Sequence, residues 1–125
     1  MHATMSVYYR FGNILVVKTI YIEYERTKVQ TLFEDIAKLE KTIGKPYTKT
    51  LIKTLRRFQA AVSYEKDILN LGLGKPHDLS GDLKGYCGIS ISANMRLIYK
   101  VKKADTIIVK GVCDYHGSNK NWIIP

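Results

Sequence analysis

The residues whose types can do chemistry gather between positions 75 and 116. Arg96 opens a strand-like segment, and Tyr115 and His116 end another. Lys75, His77 and Lys84 lie in a glycine-rich stretch that leads to Tyr86. Together they suit RNA cleavage without a metal. In that reaction the ribose 2′-hydroxyl attacks the neighbouring phosphate, one group takes its proton, another protonates the leaving 5′-oxygen, and a cation holds the charge that builds on phosphorus. Histidine titrates near neutrality and serves as acid or base. Arginine offers a fixed fork of donors to phosphoryl oxygens. Tyrosine gives an unstacked base a plane to lie on. Each residue also has a plain structural use: Arg96 can pair with Asp114, His116 can cap a strand end, His77 can bond loop backbone, and Tyr86 and Tyr115 can simply pack.

Other chemistries find little support. Gly72-Leu73-Gly74-Lys75 has too few glycines for a phosphate loop and lacks the hydroxyl residue after lysine. Cys87 and Cys113 form no C-x-x-C pair and have no partner at zinc-ligand spacing, so no metal or cofactor is expected, and both read as small buried residues. His2 sits at the terminus, away from any cluster.

The elements that must position these residues follow from periodicity. Ile14–Tyr24 is β-branched and aromatic and reads as a strand, with 6–11 as a hairpin partner across Gly12-Asn13. Val29, Leu32, Phe33, Ile36, Leu39 and Ile43 repeat at three and four, which predicts one amphipathic helix from Thr27 to a cap at Gly44. Leu51, Ile52, Leu55, Phe58 and Val62 predict a second helix over 47–64, with Lys49, Lys53, Arg56 and Arg57 on another face. Tyr86–Ser92, Arg96–Lys102 and Thr106–Tyr115 then read as an antiparallel meander, and 117–125 as a polar turn whose Trp122-Ile123-Ile124 docks on the body. The expectation is an α+β fold: a small antiparallel sheet, made of the first strand and a three-stranded C-terminal meander, with two N-terminal helices packed on one face.

Length and charge bound the function. A chain of 125 residues is one domain's worth. The longest apolar run, Ile14–Val17, is too short for a membrane span or a secretory signal, so the cytoplasm is the expected compartment, and the basic stretches form no lipid-facing amphipathic helix with large apolar anchors, so no membrane partner is expected. The net charge is +9, and residues 1–44 carry only +1 of it. Such a balance points to an anionic partner.

One stretch carries a family resemblance. His77-Asp78-Leu79-Ser80-Gly81-Asp82-Leu83-Lys84-Gly85-Tyr86, Ile89-Ser90-Ile91, Met95-Arg96-Leu97-Ile98-Tyr99-Lys100-Val101 and Val112-Cys113-Asp114-Tyr115-His116 together resemble the RelE/ParE superfamily of bacterial toxins, most of all its YoeB and HigB branches. The resemblance implies the toxin of a type II toxin–antitoxin system, a metal-independent endoribonuclease that cuts messenger RNA on the ribosome and inhibits translation. It implies an acidic or amphipathic antitoxin as partner, with a homodimer or a hetero-oligomer with that antitoxin as the assembly.

Carried over by position, Arg96 matches the phosphate-stabilising arginine, His116 the C-terminal general acid, and His77 the place of a glutamate base. Lys75, Lys84, Tyr86, Tyr115, Lys53 and Arg56 are the expected RNA contacts. Cys87-Gly88 stands where the family has Trp-Ser, and Ser90 and Ser92 flank the place of a common arginine. Residues 1–13 and 117–125 read as extensions of a single toxin domain covering 1–125. The alternative is a non-catalytic ParE-like toxin, or an RNA- or protein-binding member of the same fold. For Arg96 and His116 to cooperate they must share one face of the sheet, and the turn at Lys102–Asp105 decides whether they do.

Overall fold

In a computed structural model, the structure describes residues 20–61, 64–68, 76–116 and 119–125, with the strand segments 2–3, 7–11 and 14–18. Its strands are β1 (His2–Ala3), β2 (Val7–Phe11), β3 (Ile14–Lys18), β4 (Tyr21–Tyr24), β5 (His77–Asp78), β6 (Cys87–Ser90), β7 (Met95–Lys103), β8 (Thr106–His116) and β9 (Asn119–Ile124). Its α-helices are α1 (Thr27–Phe33), α2 (Ile36–Ile43) and α3 (Lys45–Ala60). A π-helical turn spans Tyr64–Ile68 and a 3-10 turn Gly81–Leu83.

The α+β class and the C-terminal meander are as expected, and the β2–β3 hairpin forms across Gly12-Asn13. The sheet itself is mixed, which corrects the antiparallel expectation. It runs β1-β4-β8-β7-β6-β5, and β4 lies parallel to the first half of β8, with Ile22 opposite Ile107. A parallel neighbour needs a long crossover, and the helical segment after β4 supplies it. The expected first strand is also two: β3 pairs with β2 in a separate sheet, and only β4 joins the main one.

The first expected helix is likewise two. It breaks at Glu34-Asp35, where the Asp35 side chain accepts the Lys38 backbone N–H at 3.2 Å and starts α2. An aspartate just before an apolar position is a strong N-cap, so the apolar period continues while the backbone restarts. Thr27 is the first helical residue of α1, and the cap position is Arg26. Pro46 lies in the first turn of α3, where a missing N–H costs nothing. That helix ends at Ala60, and the π-helical turn carries Tyr64 and Ile68 into the core, continuing the burial past the helix end.

The helices cover one face of the sheet. Val29, Phe33, Leu39, Leu51, Leu55 and Phe58 form a single cluster with Ile22, Ile89, Leu97, Tyr99, Ile107, Val109 and Val112. Inside it Phe58 meets the Tyr99 ring edge-on at 5.1 Å, and the Tyr64 and Tyr99 hydroxyls bond at 2.6 Å. A buried hydroxyl without a partner would be costly, and this pair satisfies both.

The C-terminal segment is a strand and not a polar turn. β9 runs antiparallel along the second half of β8, and Ile124 is buried in the core, so the expected docking does occur. Gly111 permits it, because a Cβ there would run into the Ile124 carbonyl. Among the described residues, no helix is long and apolar enough to cross a membrane.

Candidate functional site

The face of the sheet away from the helices carries the candidate site. Strand residues alternate between faces, and directly paired residues share one. Arg96 on β7 lies between Ser90 on β6 and Cys113 on β8. Ile98, in the same phase, lies between Gly88 and Gly111. A small second core forms here, because Leu83, Ile98 and Cys113 are buried outside the main cluster. The Leu79, Ile98 and Arg96 side chains all lie close over Gly88. Gly81 and Gly85 hold the turn that delivers Leu83, both with the positive φ that glycine adopts freely (+65° and +93°).

Arg96 rests on this floor. Its guanidinium carbon lies 5.2 Å from the centre of the Tyr115 ring. Its Nε is buried and, among the described residues, has no hydrogen-bond partner. A guanidinium over an aromatic face is attracted by the ring, and the partly exposed end of the side chain remains open to an anion. Burial pushes the Tyr115 hydroxyl above its ordinary range, while the Lys120 and Arg96 charges pull it back. Lys120 is cross-strand to Tyr115 and bonds Asp82 at 2.6 Å, which ties β9 to the 3-10 turn beside Arg96. That pairing holds the Asp82 carboxyl below its ordinary value and the Lys120 ammonium above its own.

Two turns decide what joins Arg96. The β7–β8 connection is a tight turn at Ala104-Asp105, followed by two register shifts, one at Val101/Lys103 and one at Ile98/Tyr99. The shifts cancel, so position 96 pairs with 113 and the ladder stays regular from there to Met95 and Asp114. Positions 113 and 115 therefore share the phase of Arg96, while position 116 falls in the alternate phase of the backbone pleat. Register alone does not seat 116 beside 96. The backbone at 116 pairs with Asn119, so the strand continues into a hairpin at that point.

His77 fares differently. It is exposed on the edge strand β5, across from Gly88, and so shares the phase of Ile98 and Arg96. Its neighbour Asp78 turns the other way and approaches the Cys87 thiol at 3.5 Å. Burial, and next the Asp78 carboxylate, push that thiol above its ordinary value, so Cys87 is held as a neutral group. Ser92 accepts the Met95 N–H at 3.0 Å and closes the β6–β7 turn, while Ser90 sits directly across from Arg96.

The other expected contacts divide. Tyr86 lies across the same outer face, with its hydroxyl donated to both Glu25 carboxylate oxygens at 3.0 and 3.1 Å. Lys100 and Lys110 stand over its ring at 5.5 and 5.3 Å. Lys84 is exposed at the end of the 3-10 turn. Lys53 and Arg56 are exposed on α3, whose buried side packs into the main core, so that core separates them from Arg96 and they do not join the site. Lys75 lies outside the described residues, as does the His116 side chain.

Sequence reasoning missed Lys100, Lys110 and Trp122. The register shift at Ile98/Tyr99 leaves Lys110 without a cross-strand partner, as a bulge does, and bulges re-aim side chains. No local signal marks that bulge. Trp122 was legible in principle, since Lys120 and Trp122 alternate with Asn121 as they do in a strand. Among the described residues, no group of three or more His, Cys, Asp or Glu side chains converges as metal ligands do.

Solved structures share this architecture. A YoeB–YefM complex from Staphylococcus aureus matches at 22% identity and a TM-score of 0.51, covering 76% of this chain and 94% of that one. A YoeB/ParE toxin from Agrobacterium tumefaciens matches at 20% identity and 0.52, covering 76% and 98%. A YoeB dimer from Staphylococcus aureus matches at 23% identity and 0.50, covering 76% and 94%. No protein-family model and no curated protein sequence matches the chain. With its parallel β4–β8 pair, its C-terminal meander and its helices on one face, the chain has the fold of the YoeB/ParE toxins.

Proposed function

We propose that the chain is the toxin of a type II toxin–antitoxin system, a metal-independent endoribonuclease that cuts messenger RNA on the ribosome. The observation that carries this reading is Arg96, partly exposed with its guanidinium over the Tyr115 ring on an outer face rich in cations. A fixed guanidinium suits the charge that develops on phosphorus when a 2′-hydroxyl attacks. His77, in phase with Arg96, takes the hydroxyl proton in this proposal, and His116 returns one to the leaving 5′-oxygen. The role of His116 rests on its place in the Tyr115-His116 motif and requires the strand end to turn it toward Arg96. Lys84, Lys100 and Lys110 add salt-sensitive attraction for the phosphate backbone, as Lys75 does in the sequence reading.

The partner in this reading is an acidic, amphipathic antitoxin, and the toxin acts in the cytoplasm. The fold is shared with a YoeB solved as a complex with YefM, which supports such a partner, and with a YoeB solved as a dimer. A groove of about 320 Å³ lined by Lys28, Thr31, Leu32 and Lys38 adds support, since it sets an apolar floor between two ammonium groups. Ile36, also on this helical layer, is 53% exposed.

A second reading is a non-catalytic ParE-like toxin, or an RNA- or protein-binding member of the fold. It is favoured by the opposite register phases of positions 96 and 116. Primer extension after induction in cells separates the two. New 5′ ends inside translated regions, absent with Arg96→Ala or His116→Ala, support cleavage. Intact messenger RNA with DNA damage supports the second reading, and full toxicity of both variants overturns the nuclease.

A further inference from the structure

The outer face holds an aromatic ring, Trp122, that the cleavage reading does not use. Aromatic rings and cations alternate across this face: Arg96 on Tyr115, Lys100 on Tyr86, and Lys110 shared between Tyr86 at 5.3 Å and Trp122 at 5.6 Å. Register agrees with contact. Trp122 pairs with Cys113, and Lys120 with Tyr115, so both stand in the phase of Arg96. Trp122 is partly exposed, and it comes from β9, the strand that Gly111 admits beside β8.

We propose that Trp122 is a stacking site for an unpaired base of single-stranded RNA, with Lys110 beside it as the phosphate contact. The proposal rests on the RNA reading above and adds to it a subsite built by the C-terminal strand. Every base has a π face, and an indole offers a broad one without asking for a particular base. Tyr86 serves less well, because Glu25 holds its hydroxyl and two ammonium groups stand over its ring, against one over Trp122. Lys110 also pairs with Glu25 at 3.5 Å, and its flexible stem and compact charge let the ammonium exchange that carboxylate for a phosphate when the base arrives. An acidic protein segment would draw on Lys110 and leave the indole face unused.

The chain contains a single tryptophan, so its emission reports this site alone. The full-length protein is titrated with an oligouridylate at low salt, and binding is followed in parallel by the anisotropy of a labelled oligonucleotide. The expected result is saturable quenching of Trp122 that weakens as salt rises. Trp122→Ala is expected to lower affinity about tenfold, within the range of one lost base–aromatic stack. Trp122→Phe keeps a ring and recovers most of the affinity, and Lys110→Ala weakens binding and flattens its salt dependence. These variants are compared by circular dichroism melting, and the Phe and Lys110 variants carry the test if the alanine does not fold.

Oligouridylate binding without quenching, unchanged affinity in Trp122→Ala, or equal quenching by polyglutamate would each overturn the site. The quench needs neither ribosome nor cleavage. Its absence overturns the stacking site whatever primer extension shows, and its presence supports the site even where messenger RNA stays intact.

Discussion

Strand β7 presents two unlike surfaces from one sequence. On the helix side Met95, Leu97 and Tyr99 are buried among apolar neighbours, and the Tyr99 hydroxyl ends on Tyr64. On the other side Arg96 and Lys100 stay partly exposed and rest on Tyr115 and Tyr86. The helix side is closed off from solvent by apolar packing. The outer side leaves its cations and ring faces partly exposed. Surplus capacity of that kind contributes little to folding and much to recognition. Ile98 qualifies the contrast: it is fully buried on the outer side, where the Leu79 and Arg96 side chains close with it over Gly88.

The comparison breaks most sharply at adjacent residues. Arg96→Ala is expected to lower messenger RNA cleavage by about 10²–10³-fold or more, the scale of losing one transition-state donor, with little change in thermal stability. Primer extension read beside a melting curve checks it. A variant that lost stability instead would move Arg96 to the structural side. Leu97→Ala, one residue on, is expected to cost about 2–5 kcal/mol, because it empties a fully buried site in the main core. Urea unfolding measures that loss, and a value near zero would mean that the two faces are packed alike.

A smaller effect tests how the outer face is held. Gly111→Ala drives a Cβ into the Ile124 carbonyl and is expected to cost about 1–3 kcal/mol while lifting β9 from β8. Faster amide exchange at 119–124 and red-shifted Trp122 emission would report it. Unchanged exchange would show that β9 docks without needing the glycine.

The mildest test is alkaline pH. Burial pushes the Cys113 thiol from 9.0 up to about 11, so the folded state keeps a proton that the unfolded chain has already lost. Its contribution to stability is complete below pH 9.0 and is lost as pH rises through about 11. The Tyr64 and Tyr99 hydroxyls, raised chiefly by burial, extend the decline above 10.0. Urea midpoints across this range should fall, and Cys113→Ala should shallow the first part of the fall. A flat profile would place Cys113 outside the small second core beside Arg96.

Much of the fold was legible because local pattern and tertiary packing agree. The apolar stripe of α3 names the residues that enter the core, and the alternation Arg96, Leu97, Ile98 marks β7 and its faces. The break at Asp35 was legible too, since aspartate before an apolar residue is a cap signal, but an unbroken helical period outweighed it. Arg96 and Tyr115 were identified as site residues, yet nothing local says that one lies on the other. Lys53 and Arg56 show what the helical period leaves open: it places them on an exposed face, and only the packed core shows that this face lies across the molecule from Arg96.

By itself, the sequence determined which residues are apolar on which face, where glycine must turn the chain, and that the charge follows residue 44. These depend on periods of two and of about four residues, which neighbours along the chain impose. The tertiary structure decided the parallel β4–β8 pairing, the cancelling register shifts that put 113 and 115 in phase with Arg96, and the meeting of Lys110 with Trp122. Those depend on how distant strands align. A one-residue slip changes every face without changing any local preference, so only the packed sheet can fix it.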